Sequence, residues 1–506
     1  MVVTITDFVK RYAAETPDAT ALLYRKAACD YQQLWRMANH YCHCVRAHGV
    51  KSGDRVAVYL PKQIETVALM LAVWQAGAIL VPINPALKPR QISHIVRDCQ
   101  PRLIVTNDAW AARFQQDSAV PVVVTTVTAL AAMPTNGVDI GGDVLESDPA
   151  VILYTSGSTG RAKGVVASHR NLVLGAESVA SYLQNHAQDT LLALLPFSFD
   201  YGLSQLTTAF SVGAKVVLHN YLLPTDVPRI CAEHGVTGIA AVPPLWRQLV
   251  NVDWPDEARS ALRYWTNSGG AMSKALLDKL LSLFQKAEPY LMYGLTEAFR
   301  STYLPPDQVK QRPTSIGKAI PNARVHVVDD QGRECAPGVE GELVHRGPLV
   351  TLGYWNAPEE TAQRFKPWPG TTGVSEKAVF SGDRVYRDED GYLYFVARAD
   401  EMIKCSGYRI SPTEIEEVAL ECDGVLNAVA IGQPHPEFGQ GVLLIVESPE
   451  DPAAMKDKLL GHCRRHLPSY MGPHGLLVMA TLPRNANGKL DRAGLRAQYH
   501  DFFSRT

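Results

Sequence analysis

The chain has 506 residues, 46% of them apolar and 20% charged, with a formal net charge of −2. That length exceeds one ordinary hydrophobic core, so at least two domains are expected. The near-neutral balance argues against a nucleic-acid or membrane-surface binder by bulk charge, while a local basic patch for an acidic partner protein stays open.

The N-terminal stretch has no basic segment followed by an apolar core, so it does not read as a signal peptide. The most apolar long stretch, residues 66–83, contains Gln75 and Gly77 and reads as a buried helix running into a strand, not a membrane span. A soluble, cytoplasmic protein is expected. Nine scattered cysteines do not form a disulfide framework, and reduced thiols are expected. Cys42, His43 and Cys44 invite a metal reading, but no second pair lies nearby and adjacent ligands do not suit a tetrahedral zinc site.

In chain order, residues 55–60 read as a strand, 64–75 as a helix, 79–83 as a strand, 89–98 as a helix and 103–106 as a strand. Further strands are expected at 151–154, 191–195, 215–218 and 238–242. This alternation predicts an α/β domain with largely parallel sheets. Between residues 322 and 354 the texture changes to short strands separated by Gly, Pro and Asp-Asp turns, which suggests a small β-rich subdomain. From about residue 401 the pattern restarts: helix 413–420, strands 425–431 and 442–446, helix 453–465. A compact α+β unit fits it.

The strongest local signal is Tyr154-Thr155-Ser156-Gly157-Ser158-Thr159-Gly160-Arg161-Ala162-Lys163-Gly164, directly after an apolar strand. Small hydroxyl residues and glycine let backbone N–H groups approach phosphate oxygens, and Lys163 adds positive charge for the outer phosphates. It is not the P-loop NTPase pattern, which needs glycine before the lysine and Ser or Thr after it. A Ser/Gly-rich surface turn is the alternative.

The segment YTSGSTGRAKGV resembles the phosphate loop of the acyl-adenylate-forming (AMP-binding) superfamily, which includes acyl-CoA synthetases, amino-acid adenylation domains and firefly-type luciferases. Four further blocks follow in the order that family has them. Tyr293-Gly294-Leu295-Thr296-Glu297 resembles its adenylate-binding block, implying that Thr296 bonds the α-phosphate and Glu297 helps hold Mg²⁺. A Thr-Glu pair opening a helix is the other reading. Ser381-Gly382-Asp383-Arg384 resembles the block whose aspartate grips the ribose hydroxyls, and the nearby Asp390-Gly391 also reads as a hairpin turn.

Residues 398–409 resemble the family's hinge and the opening of its lid, implying a ribose contact for Arg398, the hinge position for Asp400 and the thiol-tunnel strand for Gly407. A solvated linker is the alternative there. Asn487-Gly488-Lys489 resembles the C-terminal catalytic lysine motif, on a tight turn that otherwise carries a solubilising surface lysine. A cation there would offset the charge that builds as a carboxylate meets an anionic phosphate.

The resemblance therefore implies an α/β fold. A large N-terminal domain of parallel and mixed sheets with flanking helices spans residues 1–397, including a β-rich subdomain at about 322–397. A hinge follows at 398–401, then a mobile α+β C-terminal lid at 402–506. ATP and Mg²⁺ are the implied cofactors. The acceptor is a phosphopantetheine thiol, of CoA or of a stand-alone carrier protein, since only a short stretch follows Lys489.

Pro196-Phe197-Ser198-Phe199-Asp200-Tyr201-Gly202 carries the substrate signal. Many acyl-CoA synthetases have histidine where this chain has Phe199, whereas amino-acid-activating domains read Phe-Asp and pair the aspartate with the substrate ammonium. Phe199-Asp200 matches the second pattern, which points to an amino acid or other amine-bearing acid. Asp200 could instead cap the following helix. Asn267, Gly269, Gly270 and Ala271 would form the opposite wall, near the acyl group and adenine. Trp246 reads equally as the pocket floor or as core.

The run 194–304 also resembles a bacterial subgroup described as exosortase-associated AMP-forming acyl-CoA ligases, which implies CoA as acceptor and leaves a fatty or aryl acid as the alternative substrate. A non-catalytic nucleotide-binding relative would be expected to lack Lys489 or Glu297, and both are present.

Overall fold

The early strands are short aliphatic runs buried on both faces, the pattern of parallel sheets covered by helices. Every residue of Ile79–Pro82 and of Leu103–Thr106 is buried. The computed structural model describes residues 3–115, 122–134, 143–155, 162–270, 272–368, 376–398, 402–483 and 490–504.

One seven-stranded sheet runs in the order Gly353–Tyr354, Lys163–Ser168, Pro149–Thr155, Ile79–Pro82, Arg55–Val58, Leu103–Thr106, Val123–Thr126. A longer sheet has a parallel centre built from Glu288–Tyr293, Tyr264–Asn267, Gly238–Ala241, Thr190–Ala193, Lys215–Leu218 and Thr20–Tyr24. Helix Ile64–Gln75 is buried on nearly every side and touches strands of both sheets, so it is a core element and not a membrane span. Among the described residues no helix is long and apolar enough to cross a membrane.

The strand expected at 191–195 spans Thr190–Ala193. Beyond it the chain curls around buried Lys62, whose Nζ donates to the carbonyls of Ala193, Leu194 and Leu195 at 2.8, 2.6 and 3.1 Å. The Ala193 carbonyl also accepts the His219 N–H at 3.4 Å, where the neighbouring strand ends. The loop these residues lead into carries Phe199 and Asp200.

In the β-rich stretch, Arg324–Val328, Gly341–Arg346, Lys377–Arg387 and Leu393–Arg398 pair antiparallel in that order. Ser315–Ala319 bridges them to the parallel centre, pairing with Leu393–Arg398 on one side and Thr302–Leu304 on the other. The region is thus hydrogen-bonded into the long sheet. Gly353–Tyr354 instead joins the seven-stranded sheet beside Lys163–Ser168.

The C-terminal part forms a separate five-stranded sheet. Helices Pro412–Leu420 and Pro452–His466 cover one face, around Ile415, Val418 and Leu459. Leu482, Leu495 and Phe503 cover the other, on Val429, Ile431 and Leu443. This part meets the main body at helix Pro89–Cys99. Gln91 Nε2 donates to Glu414 Oε1 at 3.2 Å, and Arg90 pairs with Glu421 at 2.5 Å and Glu417 at 3.5 Å.

Candidate active site

A cavity of about 200 Å³ opens where several strands end, and the C-terminal part forms one of its walls. Crevices at strand C-terminal ends are where open α/β sheets take ligands. Of the residues singled out from sequence, the cavity gathers Thr155, Phe199, Asp200, Gly269, Tyr293 and Gly294. Thr296, Glu297, Asp383 and Gly407 line it as well.

Thr296 and Glu297 lie in a 3₁₀ turn, Thr296–Ala298, that follows strand Glu288–Tyr293. Glu297 is buried, and Tyr354 donates its hydroxyl to Glu297 Oε1 at 2.6 Å. Burial pushes the Glu297 carboxyl up, but the charges of Arg409 and Arg364 and the Tyr354 bond outweigh it and hold it below its ordinary value. Lys163 approaches the same corner, with Nζ 3.9 Å from Glu360 and over the Tyr354 ring at 5.6 Å. It stands outside the cavity lining, as the first residue of strand Lys163–Ser168.

Asp200 is the first residue of helix Asp200–Val212, whose N-cap position is Phe199 with no side-chain cap. Its carboxylate stands buried on the cavity wall and also accepts from the backbone N–H groups of Tyr201 and of Asp200 itself, in the first turn of the helix. Burial raises its pKa to about 6, with Arg300 pulling the other way. Thr296 Oγ1 lies 3.5 Å from Asp200 Oδ1, at the outer limit of a hydrogen bond.

Asp383 sits within strand Lys377–Arg387, opposite Arg398 in register. It is buried and accepts the Tyr293 hydroxyl at 2.5 Å. The C-terminal part enters through the turn between strands Ile403–Cys405 and Tyr408–Ile410. Ser406 and Gly407 have φ of 51° and 81°, a two-residue turn of type I′. A Cβ on Gly407 would stand 2.8 Å from both Val242 methyl carbons, so only glycine fits there. A second, larger cleft of about 530 Å³ shares Leu195, Pro196, Ser198, Val242, Ser406 and Tyr408 with this cavity.

Three of the expected wall residues are not in the cavity lining. Trp246 is fully buried, donates Nε1 to the Thr266 carbonyl at 3.1 Å and packs edge-on against Trp265 and Phe284. Of its two readings, floor or core, the packing gives core. Asn267 and Gly270 back the lining pair Ser268 and Gly269, with Asn267 Nδ2 3.4 Å from the Gly270 carbonyl. Ser156, Gly157, Ser158, Thr159, Gly160, Ala271, Asp400 and Lys489 lie outside the described residues, as does the side chain of Arg398.

Tyr354, Arg409 and Arg300 are site residues that sequence reasoning missed. Tyr354 and Arg409 reach Glu297 from distant segments, and nothing local marks them. Arg300 had a signal: a lone charge in the otherwise uncharged run 298–304, directly after the Thr-Glu pair.

Residues 9–355 match the AMP-binding enzyme family and residues 414–489 match the AMP-binding enzyme C-terminal domain. One of the proteins of the linear gramicidin synthase of Brevibacillus parabrevis is 31% identical over 96% of this chain, which spans only 6% of that protein's length. The long-chain-fatty-acid–CoA ligase of Salmonella typhimurium is 28% identical over 88% of this chain and 86% of that protein. A double mutant of the o-succinylbenzoate CoA synthetase of Bacillus subtilis, bound to its product analogue, is 26% identical and superposes with a TM-score of 0.87 over 97% of each chain. The same synthetase with its acyl-adenylate intermediate gives 0.72, again over 97% of each. The chain belongs to the AMP-binding enzyme family of adenylate-forming acid–thiol ligases.

Proposed function

We propose that the chain joins ATP to an amine-bearing carboxylic acid, an amino acid or close relative, and passes the acyl group to the phosphopantetheine thiol of a stand-alone carrier protein. A carboxylate oxygen attacks the α-phosphorus, the bond to pyrophosphate breaks, and an acyl-AMP forms. The thiol then attacks the acyl carbon and AMP leaves. Buried Asp200 on the cavity wall carries the reading of the acid, because a desolvated carboxylate facing a ligand cavity is the partner an ammonium needs.

Roles for the other residues follow. Thr155, the hydroxyls and glycines of Ser156–Gly160, and Lys163 receive the outer phosphates. Thr296 takes the α-phosphate. Asp383 and Arg398 hold the ribose; Gly270, Ala271, Tyr293 and Gly294 flank the adenylate. Glu297, a single buried and ionised carboxylate, suits Mg²⁺, which takes most of its oxygens from phosphates and water. The ion supplies neutralisation of charge as pyrophosphate departs. Lys489 bridges the reacting anions when the lid, pivoting at Asp400, presents it.

Gly407 in the cavity and the higher TM-score against the product-analogue complex support reading this arrangement as the thiol-transfer half of the cycle. Leu482 and Leu490, on either side of the lysine segment, pack on the face of the lid sheet away from Tyr408.

A second reading, an AMP-forming acyl-CoA synthetase for a fatty or aryl acid, has in its favour the apolar second cleft and the likeness to a fatty-acid–CoA ligase. Pyrophosphate exchange against amino, fatty and aryl acids decides. Exchange driven best by an amino acid and abolished in Asp200→Ala is expected; a fatty or aryl acid outperforming every amino acid defeats the amine reading.

A further inference from the structure

Arg300 is one of the largest fully buried side chains in the chain, at 2% exposure, and it lines the cavity. Among the described residues its side chain makes one hydrogen bond, Nη1 to Ser268 Oγ at 3.3 Å, and Nε has no partner. The guanidinium lies over the Tyr201 ring at 4.7 Å. A buried guanidinium left this short of acceptors is unfavourable unless an anion completes it. Asp200 acts on it through space, but the two form no ion pair.

The backbone spends strain to aim this side chain. Phe299 has φ 55° and ψ −52°, and Arg300 N–H donates to the Ala298 carbonyl at 2.6 Å, closing a γ-turn of the disfavoured hand. The Phe299 ring locks the turn by filling the space over Gly175, where a Cβ would stand 2.4 Å from the ring. The turn directs Arg300 back toward Ser268 and Tyr201 instead of along the strand that follows.

We infer that Arg300 is a specificity-determining residue that binds a second carboxylate of the acid, remote from the one that is activated. Together with the reading of Asp200 as the ammonium partner, on which this half rests, the substrate is an acidic amino acid. The guanidinium offers a planar fork of donors that a carboxylate fills two at a time, whereas an amide presents one acceptor and two donors that face its N–H groups. Asp200 and Arg300 then match, charge for charge, the ammonium and the side-chain carboxylate of the substrate.

The test is pyrophosphate exchange with the whole chain against aspartate, glutamate, asparagine, glutamine, norvaline, succinate and glutarate. One acidic amino acid is expected to exceed its own amide by on the order of 100-fold or more in kcat/KM, because the amide leaves the buried charge unpaired. Arg300→Gln should close most of that gap, mainly by raising KM for the acid, and Arg300→Lys should fall between. An ATP-induced rise in melting temperature equal to that of the wild type shows that Arg300→Gln is folded. If that variant does not fold, the wild-type preference and Arg300→Lys still decide.

Asparagine or glutamine serving the wild type as well as the matching acid overturns the inference, as does an equal loss on every substrate in Arg300→Gln. The two halves fail separately. Norvaline as the best substrate, with dependence on Asp200, keeps the amine reading and removes the role of Arg300. Succinate or glutarate matching the amino acids, with dependence on Arg300, keeps Arg300 and removes the ammonium partner.

Discussion

Tyr354 donates its hydroxyl to Glu297 across 2.6 Å, tying the edge strand of the seven-stranded sheet to the turn that leaves the centre of the other. Burial and the adjacent Glu297 charge push the phenol well above its ordinary pKa, so it stays a donor throughout the working range. Removing a hydrogen bond to a charged group costs about 1.5–3 kcal/mol. Tyr354→Phe is therefore expected to raise the half-saturating Mg²⁺ concentration in pyrophosphate exchange by about tenfold or more. An unchanged magnesium titration would remove Glu297 from the role of metal ligand.

Asp200 ties activity to pH. Its carboxyl titrates at about 6 in the free protein, so below that pH the group is neutral and no longer pairs with an ammonium. The kcat/KM for an amino acid should fall about tenfold per pH unit on that limb, since this parameter reports the free enzyme. The stability effect has the opposite sign. A carboxyl whose folded pKa is raised adds stability at low pH and loses it as pH rises through about 6. Asp200→Asn should therefore melt higher than the wild type at pH 8 while losing exchange activity. A lower melting temperature at pH 8 would mean that its bonds to the backbone N–H groups of the helix outweigh the cost of burying its charge.

Gly407 and Lys489 should separate the two half-reactions. Any side chain at Gly407 meets Val242 and must also adopt a left-handed backbone, which alone costs about 1–2 kcal/mol. Gly407→Val is expected to cut thioester formation at least about tenfold while leaving pyrophosphate exchange largely intact. Lys489→Ala should do the reverse, lowering exchange by on the order of 10²–10³ and sparing transfer from supplied acyl-adenylate. Parallel losses in both assays for either variant would contradict the division of labour.

Glu414 should make the contact between the C-terminal part and helix Pro89–Cys99 sensitive to pH. Burial in the contact with Gln91 raises its carboxyl to about 7, with Gln91 and Arg90 opposing the shift and Glu417 reinforcing it. The protonated form favours this arrangement, so the contact weakens as pH climbs through about 7. Protease sensitivity of the segment around 398–401, read as an opening index, should rise between pH 6 and 8 in the wild type. It should stay flat in Glu414→Gln. A pH response that survives the substitution would place the sensor elsewhere.

The α/β alternation was legible because its strands are buried on both faces and its helices are separated from them by short turns; helix Ile64–Gln75 and strand Lys215–Leu218 lie where periodicity put them. The pairing of Ser315–Ala319 with two distant partners was not legible, since register across a sheet leaves no local mark. The cavity shows the same division. Motifs could nominate Asp200, Glu297 and Asp383 one at a time. That Asp200 is the first helical residue, after Phe199 at the N-cap position, with its carboxylate on the cavity wall, follows only from the fold. Trp246 illustrates the limit of residue type: an aromatic after Pro243-Pro244 looks the same in sequence whether it faces a ligand or Trp265. Arg300 reaches the cavity through a strained turn at Phe299, and no propensity announces such a turn.

The wall between the two cavities has one further consequence. Leu195, Pro196, Ser198 and Val242 face both the first cavity and the larger cleft beside it. A substitution made there reshapes both at the same time. Variants at these positions should therefore be read in both half-reactions, since an exchange assay alone does not report on the thiol step. Changes confined to Tyr201, Ser268 and Arg300 escape that coupling, because they face the first cavity alone.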